Sequence, residues 1–381
     1  MKLSSLEYKE YLDTPREWQI KKFNFKNINL IVGINAVGKS RLLNVIKNLA
    51  EYTYNPSKKP YGSACWNIVL RNKEKIQYEL ECKDSKVFHE LLKIKNEVVL
   101  KRNKEGKGEI KAVKLKENLE FQISEDILAI SAKRDQLQHG FLEKLFGWGN
   151  NLIFIPFGTP MGQNDLIPLE IKDGISIVNI RSGKDYINEF YNGAKKYGHK
   201  FIKSIIEDMQ RLDYDIKEIK LKQVQFQGLF PAESTKFFNL QITEEEIGIL
   251  VEQLNLSQGM FRAISTIIKL NYLIFEDLKN VCVLIDDIGE GLDYNRSVNL
   301  VKLLIDKLKN TEIQLIMTTN DRFVMNNIPI EYWSILNRKG HIVEVINYEN
   351  SQAIFNDFYK TGLSNFDFFS SKLYLGEEKN N

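Results

Sequence analysis

The sequence predicts an α/β fold, and three stretches predict it. An apolar run from Phe25 to Val32 enters a glycine-rich loop, then a stretch with Leu42, Leu43, Val45, Ile46 and Leu49 at helical spacing. A second apolar run, Val281-Cys282-Val283-Leu284-Ile285, ends on the carboxylate of Asp286. A third, from Ile313 to Met317, ends on Thr318-Thr319-Asn320. Buried strands that end in polar residues and alternate with helical stretches read as a sheet flanked by helices.

The first element carries the chemistry. Gly33, Ile34, Asn35, Ala36, Val37, Gly38, Lys39 and Ser40 spell G-x-x-x-x-G-K-S, and Arg41 continues into the helix. At this spacing the backbone N–H groups wrap phosphates, Lys39 reaches the β/γ-phosphates and the Ser40 hydroxyl ligates Mg²⁺. The glycines let the backbone turn and approach without a Cβ in the way. A helix that starts on the loop adds partial positive charge where the phosphates sit. The second element supplies the matching carboxylate: Asp286, at a strand end, is placed to hold Mg²⁺ or its water shell, the Walker B pattern.

Composition bounds the alternatives. The 381 residues suffice for one large or two ordinary domains, and 43% hydrophobic with 27% charged residues is usual for a globular chain. A net charge of +3 does not announce a nucleic-acid binder. Cys65, Cys82 and Cys282 are far apart, so neither a disulfide framework nor a zinc motif is expected, and four histidines argue against a histidine-rich metal centre. The N-terminus lacks a signal-peptide core and no window has the apolar length of a membrane span, which points to the cytoplasm with no membrane partner.

Four features follow one another in order. After the P-loop come Leu256-Ser257-Gln258-Gly259-Met260 and a helical stretch from Ile264 to Ile274, then Asp286-Asp287, then Glu290-Gly291-Leu292-Asp293, then Asn320. This order resembles the ATPase core of the ABC class, a mixed central sheet flanked by helices. The resemblance implies that Ser257, Gln258 and Gly259 form a signature loop, that Asp293 belongs to the D-loop and that Asn320 stands at the switch. It also implies that two copies close around ATP·Mg²⁺, with the signature of one capping the γ-phosphate held by the other, so that the chain is its own partner. A lid glutamine on Mg²⁺ is part of the same pattern; Gln136 and Gln138 are the candidates, and Gln138 is preferred.

The branch is narrowed by spacing. More than two hundred residues separate Ser40 from Ser257, a longer span than transporter ATPases show, and the insert is no heptad coiled coil of a DNA organiser. The N-terminal stretch Asn29 to Ser40, Gly289-Glu290-Gly291-Leu292 and Gly362-Leu363-Ser364-Asn365-Phe366-Asp367 resemble the OLD-like ATPases of prokaryotic anti-phage systems. About ninety residues follow Asp286, too few for the TOPRIM nuclease that several OLD-like chains carry, so a separately encoded nuclease or toxin is expected as effector. A DNA-repair or DNA-end-sensing ATPase that clamps nucleic acid is the alternative, and a transporter ATPase a more distant one.

Two departures predict a slow ATPase. Asp287 stands where a water-orienting glutamate is usual, one methylene shorter, with Glu290 as a second candidate for that role. Asn320 replaces the usual switch histidine and carries no charge. Turnover below about one per minute is expected, against ~1–10³ s⁻¹ for typical enzymes, and more than about 1 s⁻¹ would contradict this.

The division expected is a first core half over 1–90, an inserted α+β lid over 91–250, a second core half over 251–345 and an aromatic tail over 346–381. The insert opens with a basic hairpin, Lys93 to Lys116, turning at Lys104-Glu105-Gly106-Lys107; interleaved Glu97, Glu105, Glu109 and Glu117 favour a solvated edge over a nucleic-acid surface. A helix is expected over Phe141 to Trp148 and a longer one from Asp185 to Leu212 with breaks at Gly193 and Gly198. Strands are expected near Ile216 to Leu221, Val224 to Phe226 and Phe237 to Ile242. Thr243-Glu244-Glu245-Glu246 should open a helix, and the last residues, from Glu377, should be loose.

Overall fold

The computed structural model describes residues 1–165, 167–169, 171–172, 174–224, 236–245 and 248–376. Strands β1 (Lys2–Glu10), β2 (Trp18–Asn24) and β3 (Ile28–Val32) precede helix α1 (Lys39–Tyr54). Six strands follow: β4 (Ala64–Arg71), β5 (Lys75–Lys83), β6 (Lys86–Ile94), β7 (Glu97–Arg102), β8 (Lys107–Ala112) and β9 (Glu117–Gln122). Helices α2 (Ala129–Ala132) and α3 (Leu142–Asn150) lead to β10 (Leu152–Ile155). The next stretch holds β11 (Ile167–Leu169), β12 (Ile171–Lys172), β13 (Ile175–Ser176), α4 (Tyr186–Tyr197), α5 (His199–Gln210), β14 (Ile216–Val224), β15 (Lys236–Glu244) and β16 (Leu250–Glu252). Then come α6 (Gln258–Phe275), β17 (Cys282–Ile285), α7 (Tyr294–Leu308), β18 (Gln314–Thr319), α8 (Arg322–Asn327), β19 (Trp333–Lys339), β20 (Ile342–Asn347), α9 (Gln352–Tyr359) and α10 (Asn365–Ser370).

The main sheet runs β10-β17-β18-β3-β19-β20-β2-β1-β4-β5-β6-β7-β8-β9. Its first five strands are mutually parallel, and β1 with β4 to β9 pairs antiparallel throughout. The expected mixed α/β sheet is therefore present. Every residue of β3, β17 and β18 is buried, as a strand covered on both faces requires. Parallel strands present their C-terminal ends on one edge, where α/β sheets bind ligands.

Helix α6 is buried on all sides: every residue from Gly259 to Leu273 is inside. Two of its polar groups are met by α4 and α5. Lys269 pairs with Glu189 of α4, and Asn271 Nδ2 donates to Asp208 of α5 at 2.7 Å. Burial pushes the Glu189 carboxyl up to about 7, and Lys269 counters that. The polar contacts thus fix α6 to α4 and α5 while the apolar face packs on the core.

The expected long helix divides at Gly198, whose φ of +59° breaks the helical path. Thr243 and Glu244 finish β15 instead of opening a helix, because their partners on β14 and β16 supply ladder hydrogen bonds. Residues 90, 250 and 345 lie inside β6, β16 and β20. The expected divisions thus cut strands, and the basic hairpin belongs to the main sheet. Arg102, counted in that hairpin's charge, is buried; it ion-pairs with Glu90 at 3.8 Å and donates to the carbonyls of Ile127 and Ser124. In the tail, Phe355, Phe358, Phe368 and Tyr374 are core. The expected strand over Val224–Phe226 (from residue 225), Glu246 of the acidic stretch and the terminal residues 377–381 lie outside the described residues.

Candidate nucleotide site

Five parallel strands deliver their C-terminal ends to one edge. β3 runs into the P-loop, β17 into Asp286 and Asp287, β18 into Asn320, β10 into the loop from Pro156 to Gln163, and β19 ends near Arg338. Trp18, Asn35, Ala36, Gly38, Lys39, Ser40, Arg41, Asp287, Asn320 and Arg338 enclose a cleft of 290 Å³.

The P-loop backbone follows from its residues. Gly38 has φ of +112°, and a Cβ there would stand 2.9 Å from the Trp18 ring. Both the dihedral and the packing therefore require glycine. Lys39 is buried, and its Nζ donates to the carbonyls of Gly33 and Ile34 at 2.8 and 3.3 Å. Burial holds this ammonium below the usual lysine range, and the charges of Asp287 and Asp286 offset part of the effect. A desolvated cation whose hydrogen-bond acceptors are loop carbonyls fits an anionic ligand.

Ser40 Oγ donates to Asp286 Oδ1 at 3.0 Å, and Thr318 Oγ1 donates to the same oxygen at 2.7 Å. Thr318 Oγ1 also accepts the N–H of Asp287 at 2.8 Å. A hydroxyl beside a carboxylate is the oxygen donor set that Mg²⁺ takes, with phosphate oxygens and water completing its shell. Thr318 therefore orients both acidic residues from the neighbouring strand. Its signal in sequence is only its place two residues before Asn320.

Asp287 adopts a left-handed conformation, φ +54°, which is costly for a residue with a Cβ, and it lines the cleft. Its Oδ1 accepts from Asn320 Nδ2 at 3.4 Å. Burial raises its carboxyl above the usual range, Asp286 and Glu290 add to that, and Lys39 counters it. A second cleft of 230 Å³ adjoins, lined by Asp287, Gly289, Glu290, Leu292, Asn320 and Asp321 among others. Asp287 borders both clefts; Glu290 borders only the second.

The signature residues stand elsewhere. Ser257 and Gln258 are exposed at the start of α6, and neither lines the cleft around Lys39. Ser257 caps α6 by accepting the Met260 N–H at 3.2 Å. A Cβ on Gly259 would come within 2.6 Å of the Gly291 carbonyl oxygen, so the signature and the Gly291-Leu292-Asp293 turn are packed together. Asp293 caps α7 and pairs with Arg296 at 2.8 Å. Arg262, given no role by the sequence pattern, joins these parts: its Nε donates to the Thr159 carbonyl at 3.1 Å and its Nη1 to the Glu290 carbonyl at 2.6 Å.

Gln138 does not join the cluster. Its side chain accepts the Lys114 N–H at 3.3 Å, at the turn between β8 and β9. The loop beside the acidic pair is the one after β10, where Gly158 N–H donates to the Asp286 carbonyl at 3.1 Å. Gln163 in that loop is buried and donates to the carbonyls of Gln253 and Leu256, just ahead of the signature.

The pKa of Asp287 gives a testable sign. A native value above the unfolded one means the native state binds the proton more tightly. The stability this contributes is present at low pH and lost as pH rises through the raised value. Asp287→Asn is thus expected to raise the nucleotide-free melting temperature at pH 7.5 by about 1–2 °C. Thermal melts check this.

Comparison with solved structures places this fold. Over 93% of this chain and all of the other, it matches the crystal structure of an Smc head bound to the C-winged helix domain of ScpA, at 12% identity and a TM-score of 0.54. An Smc head with an extended coiled coil, bound to the C-terminal domain of ScpA, derived from Pyrococcus furiosus, matches at 10% identity over 94% of this chain and 99% of the other, with a TM-score of 0.49. The SMC head domain from Thermotoga maritima matches at 13% over 91% and 99%, with a TM-score of 0.41. No family model matches the chain, and no curated protein does. The chain therefore has the ABC-type ATPase fold of SMC heads. No helix among the described residues is long and apolar enough to cross a membrane.

Proposed function

We propose that this chain is an ATP-binding and slowly hydrolysing ABC-type ATPase. Two copies close around ATP·Mg²⁺, and their closure controls a separately encoded effector, a nuclease or toxin, in anti-phage defence. One observation carries the ATPase reading: Lys39, Ser40, Asp286, Asp287 and Asn320 converge at the parallel strand ends, while Ser257 stands exposed and apart from them.

Each residue has its part. Lys39 and the loop N–H groups of residues 33–41 bind the phosphates. Ser40 and Asp286, held by Thr318, take Mg²⁺, which when bound neutralises phosphate charge. Asp287 orients and deprotonates water; Glu290, facing the second cleft, does not. Asn320 donates to Asp287 and keeps the carboxylate in place. Ser257 and the N–H groups at the head of α6 cap the γ-phosphate of a second copy. Asp293, which caps α7 directly after the Gly291-Leu292 turn packed on Gly259, carries the closure into α7.

The proposal is tested by affinity purification with MgATP of wild type, Lys39→Ala and Asp287→Ala. A stoichiometric second protein, retained with wild type after nuclease treatment and released from Lys39→Ala, supports the effector reading. The absence of any such protein contradicts it.

A second reading, a nucleic-acid clamp, is favoured by one surface. A cleft of 710 Å³ on the outer strands is lined by His89, Lys101, Asn103, Lys107 and Phe121 among others. Against it, Lys101 pairs with Glu109 at 3.1 Å and Lys107 with Glu105 at 3.3 Å, as solvated edge lysines do. Replacing Lys101, Lys104 and Lys107 by serine, with buried Arg102 left intact, is expected to change DNA retention by less than about twofold at 150 mM salt. A loss of about tenfold or more would establish the clamp.

A further inference from the structure

Arg41 follows the P-loop serine and is held by two neighbours. Its guanidinium lies over the Trp18 ring, 4.7 Å from the centroid, and its edge ion-pairs with Glu10. Glu10 and Trp18 are direct cross-strand partners on β1 and β2, so one strand pair supplies both the floor and the anchor. Tyr8 O–H donates to Glu10 at 2.9 Å and fixes the anchor in turn. The Arg41 side chain keeps 41% of its surface exposed, and both it and Trp18 line the cleft around Lys39. Trp18 is fully buried, and among the described residues its indole N–H has no hydrogen-bond partner, although it lies against Gly38 of the loop.

We propose that Arg41 is the platform for the nucleobase: the guanidinium, sandwiched between Trp18 beneath and the base above, selects a nucleoside triphosphate over bare polyphosphate. This rests on the P-loop reading. It departs from a phosphate role for Arg41, because the ion pair with Glu10 holds the guanidinium edge and leaves its outer face to stack. The face of an aromatic that ordinarily receives a base is here already covered by Arg41, so the arginine plane takes its place. Lysine has no such plane.

The test measures binding of MgATP and of magnesium tripolyphosphate by calorimetry to the full chain and to Arg41→Ala, Arg41→Lys and Lys39→Ala. Arg41→Ala and Arg41→Lys are each expected to weaken ATP binding by about tenfold and to leave tripolyphosphate within twofold. Lys39→Ala is expected to lose both ligands. Equal loss of both ligands in Arg41→Ala would make Arg41 a phosphate ligand, and full ATP affinity in Arg41→Lys would make charge alone sufficient; either overturns the platform. Wild type that binds neither ligand would instead overturn the P-loop reading.

Discussion

Lys39→Ala is expected to weaken MgATP binding by about a thousandfold, measured by calorimetry or nucleotide-fluorophore titration. The magnitude follows from what the side chain loses. Two charge-assisted hydrogen bonds to phosphate contribute about 1.5–3 kcal/mol each, and together they account for a factor of this order. The site has no cheap substitute. Lys39 is buried, and its charge is opposed by Asp286 and Asp287. Without it, those carboxylates face the incoming phosphates directly, and like charges in a partly desolvated cleft repel. Retained affinity within about tenfold would mean that the loop N–H groups alone bind the nucleotide.

Ser257→Arg is expected to leave nucleotide affinity of a single copy within about twofold and to abolish nucleotide-driven pairing. Ser257 is exposed, and the cleft around Lys39 does not include it, so the substitution does not reach the chain's own phosphates. It does place a long charged side chain where a partner's γ-phosphate is to be capped. Loss of the Met260 N–H cap costs about 1 kcal/mol, which a buried helix such as α6 withstands. Ser257→Ala separates the two effects: it loses the same cap without the bulk and is expected to retain weakened pairing. Unchanged pairing in Ser257→Arg, seen by sedimentation, would remove the signature from the interface.

The parts of this site that sequence made legible are those whose spacing is imposed by local backbone. The P-loop needs Gly38 at its left-handed position and Lys39 directly after it, and both requirements are written in adjacent residues. Asp286 was legible because a fully buried strand precedes it. The parts missed depend on which strands become neighbours. Thr318 acts on Asp286 only because β18 lies beside β17, and Arg262 acts on Thr159 and Glu290 only because α6 passes beneath both loops. Gln138 looked suitable as a polar-loop glutamine, but the strand order sends it to the turn after β8 and brings the loop after β10 to the acidic pair. Trp18 carries no signal in the sequence pattern; its place under Gly38 needs the sheet order β20-β2-β1. Arg102 shows the converse: in a run of lysines it read as surface charge, yet it is buried against Glu90.

The central claim is that nucleotide joins two copies. Sedimentation velocity of Asp287→Asn, with and without MgATP, tests it most directly, because slowed hydrolysis preserves the bound state. A shift from one copy to two on adding MgATP, absent in the Asp287→Asn, Ser257→Arg double variant, is the result predicted. A single-copy species that holds a full equivalent of ATP would contradict the account.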